Sequence, residues 1–227
     1  MRTSTTLRVP AARRRTSQAS ILTNLLLDCG IVATVLYVAA NVITVLAYPG
    51  YEWTSQTVSE LSAIDAPTRS IWNSLMLPYG LLMFAFGWGV WLAAGRNRLL
   101  RFAAVMLLVG TIVGAFWPPM HQREVLAAGG GTMTDTLHIA FTAFWAVFSL
   151  CAMIATAKAI KGTFGFFTFV AVMVLIVFGA LTGLASPDME KNLPTPMIGV
   201  WERVNMAAYF LWVMVLAFVL IARKPSP

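Results

Sequence analysis

Six long apolar stretches separated by short polar connections constrain this chain more than any motif in it. They run Ile21 to Ala47, Ile71 to Ala94, Leu99 to Phe116, Thr134 to Ala157, Phe164 to Leu184 and Val204 to Ala222. Each is close to the about 20 mostly apolar residues that an α-helix needs to cross a bilayer core. A backbone in hydrocarbon must satisfy its hydrogen bonds internally, which a helix does. The spacing therefore predicts an all-α, polytopic membrane bundle of six transmembrane helices. Composition agrees, with 59% of residues hydrophobic and 11% charged, against roughly 45 to 50% and 25% in soluble domains. The expected organisation is a disordered basic tail over residues 1–20, a single membrane domain over 21–222, and a short tail over 223–227.

The charges sort by side. When alternate connections are assigned to opposite faces, all 16 Lys and Arg residues except Arg69, Arg123, Lys191 and Arg203 share the face of the termini. All 9 acidic residues except Asp28, inside the first run, fall on the other face. The positive-inside rule then places both termini in the cytoplasm and the chain in the cytoplasmic (inner) membrane. The net charge of +7 is thus read as an orientation signal and not as a nucleic-acid surface. Membrane lipids are the expected partners; self-association is left open, and no protein partner is assigned. Cys29 and Cys151 both lie in apolar runs, so neither a disulfide framework nor a cysteine metal site is expected.

The polar residues with chemical potential gather in three outer segments, Tyr48 to Ser70, Trp117 to Met133 and Ala185 to Arg203. In the first, Thr57-Val58-Ser59-Glu60 has capping-box spacing, and Val58, Leu61 and Ile64 recur at helical intervals. A short amphipathic helix at the outer interface is expected there. Glu60 serves as its cap or faces a pocket between spans. At the head of the fourth span, Asp135 and His138 stand three residues apart and share a helix face. A carboxylate one turn from an imidazole fixes its tautomer and raises its basicity, as a general base requires, so both are catalytic candidates. The alternative makes Asp135 a first-turn acid stabilised by the helix dipole and His138 a polar group bonded inside the bundle.

Glu202, Asn205, Tyr209 and Trp212 fall on one face of the sixth span; Glu202 is read as an N-terminal dipole acid and Arg203 as an interfacial anchor, or both together hold a zwitterionic or anionic headgroup. With Glu60, Arg69 and Asp188 they form the candidate ligand-binding set: Glu60, Arg69, Asp188, Glu202, Arg203 and Asn205. Tyr37 and Asn41, one turn apart in the first span, are expected to bond across helices. Gly80, Gly87 and Gly89 are read as sites of close packing. No metal site is assigned. Catalytic zinc usually has three protein ligands, and beside His121 and His138 the third would have to be a carboxylate such as Asp135, Asp188 or Glu60. H-E-x-x-H, P-loop, G-x-S-x-G and dinucleotide signatures are absent, so no cofactor is assigned.

Pro49-Gly50-Tyr51, Ser59-Glu60-Leu61, Ala66-Pro67, the Asp135-Thr136-Leu137-His138 start of the fourth span and the Glu202-Arg203 start of the sixth together resemble the six-span bacterial membrane family catalogued as domain of unknown function 998. The resemblance runs from about Leu25 to Ala222. It implies six spans with an outward polar cluster and carries over no catalytic residue. The leading functional expectation is binding of a lipid or small amphiphile at a polar site on the outer face. The second is a membrane-embedded hydrolase or lipid-transfer enzyme with His138 as base and Asp135 as its orienter. A transporter ranks third, because polar groups at mid-membrane are few and no inverted repeat is visible.

Overall fold

A computed structural model of the protein describes residues 11–223. Within them the chain is helical throughout, with α1 (Ala11–Ala47), α2 (Arg69–Ala93), α3 (Arg98–Ala115), a short α4 (Arg123–Ala127), α5 (Met133–Ala159), α6 (Thr163–Glu190), α7 (Ile198–Ala222), and a single 3-10 turn at Val58–Ser62. All but α4 are long and apolar enough to cross a membrane, and these 6 helices match the six expected spans. The protein is a multi-pass membrane protein. Its perimeter is apolar, with Leu46, Leu77, Phe116 and Leu184 among the most exposed side chains, as lipid contact requires.

Three boundaries differ from the sequence reading. α1 begins at Ala11, so the expected tail is helical from residue 11 onward, while residues 1–10 and 224–227 lie outside the described residues. α6 continues through Pro187 to Glu190, and α7 starts at Ile198 instead of Val204. Hydropathy ends a span at its first charges. The backbone does not, because the first turn of α7, with Ile198 buried, packs against protein, and Glu202 and Arg203 of the next turn bond to protein groups.

Local chemistry explains the connections. Gly95 takes a left-handed φ of 51° after α2. Asn97 then caps α3, its Oδ1 accepting from the amides of Leu99 (3.0 Å) and Leu100 (3.1 Å). Thr132 and Asp135 make a reciprocal capping box at the start of α5.

In space α1 packs on α2, α2 on α3, α3 on α5, α5 on α6, α6 on α7, and α7 back on α1, closing a ring. Alternating directions bring the start of α1 and the end of α7 to one side of the bundle, called here the proximal end. The proximal half is filled: Leu27, Phe86, Val90, Trp212 and Leu216 are wholly buried. The backbones there are close. A Cβ on Gly89 would meet Leu26 and Leu27 at 2.9 Å, and one on Gly87 would meet Leu108 at 3.0 Å. Small residues at helix contacts allow this approach in membranes.

Between the neighbouring α1 and α7, the Tyr37 hydroxyl donates to Met206 Sδ (2.7 Å), and Asn41 accepts from Arg203 Nε (3.2 Å). Both expected interhelical bonds are present. The distal half is different, since its interior is hollow beneath a polar roof.

Candidate functional site

The hollow is a cavity of about 650 Å³ between α2, α3, α5 and α7. Its wall is aromatic and thioether-rich, with Trp72, Tyr79, Met106, Trp145, Met206 and Tyr209 among the lining residues. Besides the Tyr37, Tyr79 and Thr111 hydroxyls, its polar groups lie toward two ends. Ser149 lies at depth beside the Tyr209 hydroxyl, and Ser59, Ser62, Arg69, Asn73 and His138 ring the distal end.

The roof is the segment between α1 and α2, and three buried side chains hold it. Thr57 and Glu60 form the capping box expected from the sequence: the Thr57 amide donates to Glu60 Oε2 (2.6 Å) and the Glu60 amide to Thr57 Oγ1 (3.3 Å). Glu60 is also fully buried and receives Arg123 in a bidentate pair, Nε to Oε1 at 2.7 Å and Nη2 to Oε2 at 2.9 Å. Arg123 further donates to Thr195 Oγ1 (3.2 Å) and the Ser55 carbonyl (3.0 Å), so one guanidinium joins the roof, α4 and the connection to α7. These bonds to Glu60 raise the Arg123 pKa further, and the group stays charged. Glu60 is thus both cap and ion-pair partner, and none of its oxygens is left for a ligand in the cavity.

Glu202 and Arg203 fasten the same segment from the start of α7. Glu202 accepts from the Val58 amide, supplying a partner to the 3-10 turn at its N-terminus. Arg203 donates to the carbonyls of Trp53 (2.8 Å), Gln56 (3.2 Å) and Gly199 (3.1 Å) and to the Tyr51 hydroxyl (2.9 Å). Burial pushes the Tyr51 phenol well up, so it keeps its proton and donates to the Thr57 carbonyl at 2.6 Å. Gly199 is required here, because a Cβ would stand 2.2 Å from the Gln56 oxygen and 2.3 Å from that of Trp53. Glu202 and Arg203 thus bond the protein's own backbone and join the start of α7 to the roof.

The two histidines divide differently from the sequence reading. Asp135 makes no hydrogen bond with His138. Its carboxylate accepts from the His121 amide (2.7 Å), His121 Nδ1 (2.9 Å) and the Thr132 amide (2.8 Å). His138 is buried at the cavity rim, with Nδ1 2.8 Å from the Pro118 carbonyl and Nε2 3.1 Å from Ser59 Oγ. A carbonyl only accepts, so Nδ1 carries the proton and Nε2 accepts from the serine hydroxyl. The indole nitrogen of Trp117, 3.2 Å from the same Nδ1, then has no lone pair to receive it, and the ring stacks edge-on at 5.8 Å. His138 therefore ties α5 to the roof and to the α3–α4 connection.

Of the remaining expected residues, Asn205 is drawn to the Leu175 carbonyl of α6, away from the cavity. Asp188 is exposed near the end of α6 and joins none of these groups. Arg69 faces the cavity, with Nη1 on the Ser62 carbonyl at 2.8 Å. Sequence reasoning missed the roles of Arg123, Ser59 and His121. Arg123 had a signal, as one of few cations on the acid-rich side of the chain. Among the described residues, no group of His, Cys, Asp and Glu is arranged to hold a metal ion.

Residues 31–219 match the family described as protein of unknown function (DUF998). The chain belongs to that family. The matched stretch takes in all the cavity-lining residues, the roof and both histidines, so the site described here lies within the DUF998 region. No curated protein and no solved structure matches the chain.

Proposed function

We propose that this DUF998 protein binds a lipid or small amphiphile in the distal cavity, and that it sits in the cytoplasmic membrane with both termini cytoplasmic. The cavity carries the reading. Its volume of about 650 Å³ lies inside the roughly 300 to 1,000 Å³ of small-molecule sites, and a mostly apolar wall with a few polar groups is their usual form. The charge asymmetry between the two faces supports the orientation, which would open the polar rim toward the outer leaflet.

Binding is favoured over hydrolysis because the expected orienter is engaged elsewhere: Asp135 bonds His121 and Thr132, and Nδ1 of His138 meets the neutral Pro118 carbonyl instead of a carboxylate. Transport through Asp28 and Asn41 has no support from the cavity, which neither residue lines. Native mass spectrometry of the detergent-purified protein tests the proposal. A retained amphiphile adduct is expected on the wild type, with reduced occupancy in His138→Ala; bare wild-type protein in every mild detergent would overturn it. A fluorescent-protein fusion at the C-terminus should fluoresce if that end is cytoplasmic.

A further inference from the structure

Resting on the binding reading above, we infer that the occupant is a single-chain amphiphile with an anionic head, its head beside Arg69 and its chain admitted sideways from the bilayer through a slot between α2 and α3.

The charge of the lining points to the head. Among the described residues around the cavity, Arg69 is the only Lys or Arg, and there is no Asp or Glu. Asp65, four residues before Arg69, is exposed, does not line the cavity and makes no ion pair with Arg69, and the acids around the roof are engaged: Glu60 by Arg123, Glu202 by the Val58 amide, and Asp135 by His121 and Thr132. Arg69 gives one nitrogen to the Ser62 carbonyl and bonds no other described residue. A guanidinium has five donors in a fixed fork, matched to a carboxylate or phosphate. Asn73, one turn along the same face of α2, has no hydrogen bond to a described residue and lines the same end. The rim therefore offers unspent donors and no competing anion.

Glycine positions point to the route. Gly80 of α2 and Gly114 of α3 both line the cavity, and a Cβ built on either meets nothing within 4 Å. On the same α2, Gly87 and Gly89 sit in tight contact with neighbouring helices. So the residue type that closes the proximal half leaves a gap in the distal half. Leu77 and Leu81 mark where the gap opens: they line the cavity, yet are 70% and 67% exposed on the apolar perimeter. A chain lying in the bilayer could pass between α2 and α3 without leaving hydrocarbon, while its head stays at the level of Arg69, the first residue of α2. The volume suits one such chain, being mid-range for a drug-sized ligand.

Quenching of tryptophan fluorescence tests each part, since Trp72, Trp117 and Trp145 line the cavity. In neutral-detergent micelles the protein is titrated with a fatty acid brominated along its chain, with the methyl ester of that acid, and with a brominated two-chain zwitterionic lipid. Saturable quenching by the acid is expected, with the ester weaker by on the order of tenfold, the range for a bond to a charged group. Arg69→Gln should remove the difference between acid and ester, and Arg69→Lys should retain part of it. Gly80→Leu and Gly114→Leu should each lose the saturable component at an unchanged unfolding midpoint. Equal affinity for acid and ester in the wild type would overturn the anionic head. Saturable quenching preserved in both glycine variants would overturn the slot. Preference for the two-chain lipid would overturn the single chain. No saturable quenching by any of the three would remove the binding reading itself.

Discussion

The two halves of the bundle are built from the same kinds of residue and do opposite things with them. Near the termini, Phe86 fills the space over Gly30, Gly89 lets α2 lie against α1, and Trp212 is wholly enclosed. Toward the other end, Gly80 and Gly114 face open space, and aromatic rings stand around a void. What keeps the void from collapsing is the roof, whose buried charges are tied to four separate stretches of chain. Apolar packing holds one half; a polar lattice holds the other and leaves room beneath it.

That contrast can be broken most forcefully at the lattice. Arg123→Met leaves Glu60 buried without its cation and should cost about 3 to 5 kcal/mol, whereas adding Glu60→Gln should recover part of the loss. Unfolding midpoints of the two single variants and the double in one detergent would show it; additive losses would mean that the pair is not a unit. Next comes the packed half. Phe86→Ala should cost about 3 to 5 kcal/mol through the cavity it creates, and Met76→Ala, already beside the void, should cost less than about 1.5 kcal/mol. Similar losses at both sites would erase the distinction between the halves.

Two smaller effects sharpen it. Gly89→Ala forces a methyl to 2.9 Å from Leu26 and Leu27 and should destabilise by about 1 to 3 kcal/mol. Gly114→Ala has space, gains helix propensity, and should leave the midpoint unchanged or raise it by up to about 1 kcal/mol. Smallest is Asp135→Asn, which weakens the cap of α5 and the bond to His121. A loss of about 1 kcal/mol is expected, with hydrogen exchange quickened in residues 118–135 and unchanged in the proximal core.

The spans were readable because hydropathy reports them directly, and the Thr57 to Glu60 box because its two bonds are local. The site was less readable because its partners are distant in the chain. Asp135 and His138 share a helix face, but spacing along one helix cannot reveal that the 117–122 connection brings His121 closer to the carboxylate than His138. Arg69 looked like one polar residue among several on its side. Its isolation depends on Glu60 and Glu202 being spent on Arg123 and the Val58 amide, which only the folded chain decides. Gly80 looked like a packing glycine, as Gly87 and Gly89 are. The difference lies in what α3 places opposite it.

Arg203 has a consequence for how the molecule is made. The carbonyl of Trp53 that it holds lies 150 residues earlier in the chain, and the Val58 amide held by Glu202 lies 144 residues earlier. Synthesis runs from the N-terminus, so the loop behind the first span reaches the membrane long before the side chains that will fix it. Until the sixth span is inserted, residues 51–58 lack both of these anchors, and a chain arrested after α6 would carry five spans beneath a roof held by Arg123 but not yet by α7. The last helix is the keystone of biogenesis as well as a wall of the cavity. Protease sensitivity of the 51–58 stretch would therefore report completion of the chain more sharply than it reports the insertion of any earlier span.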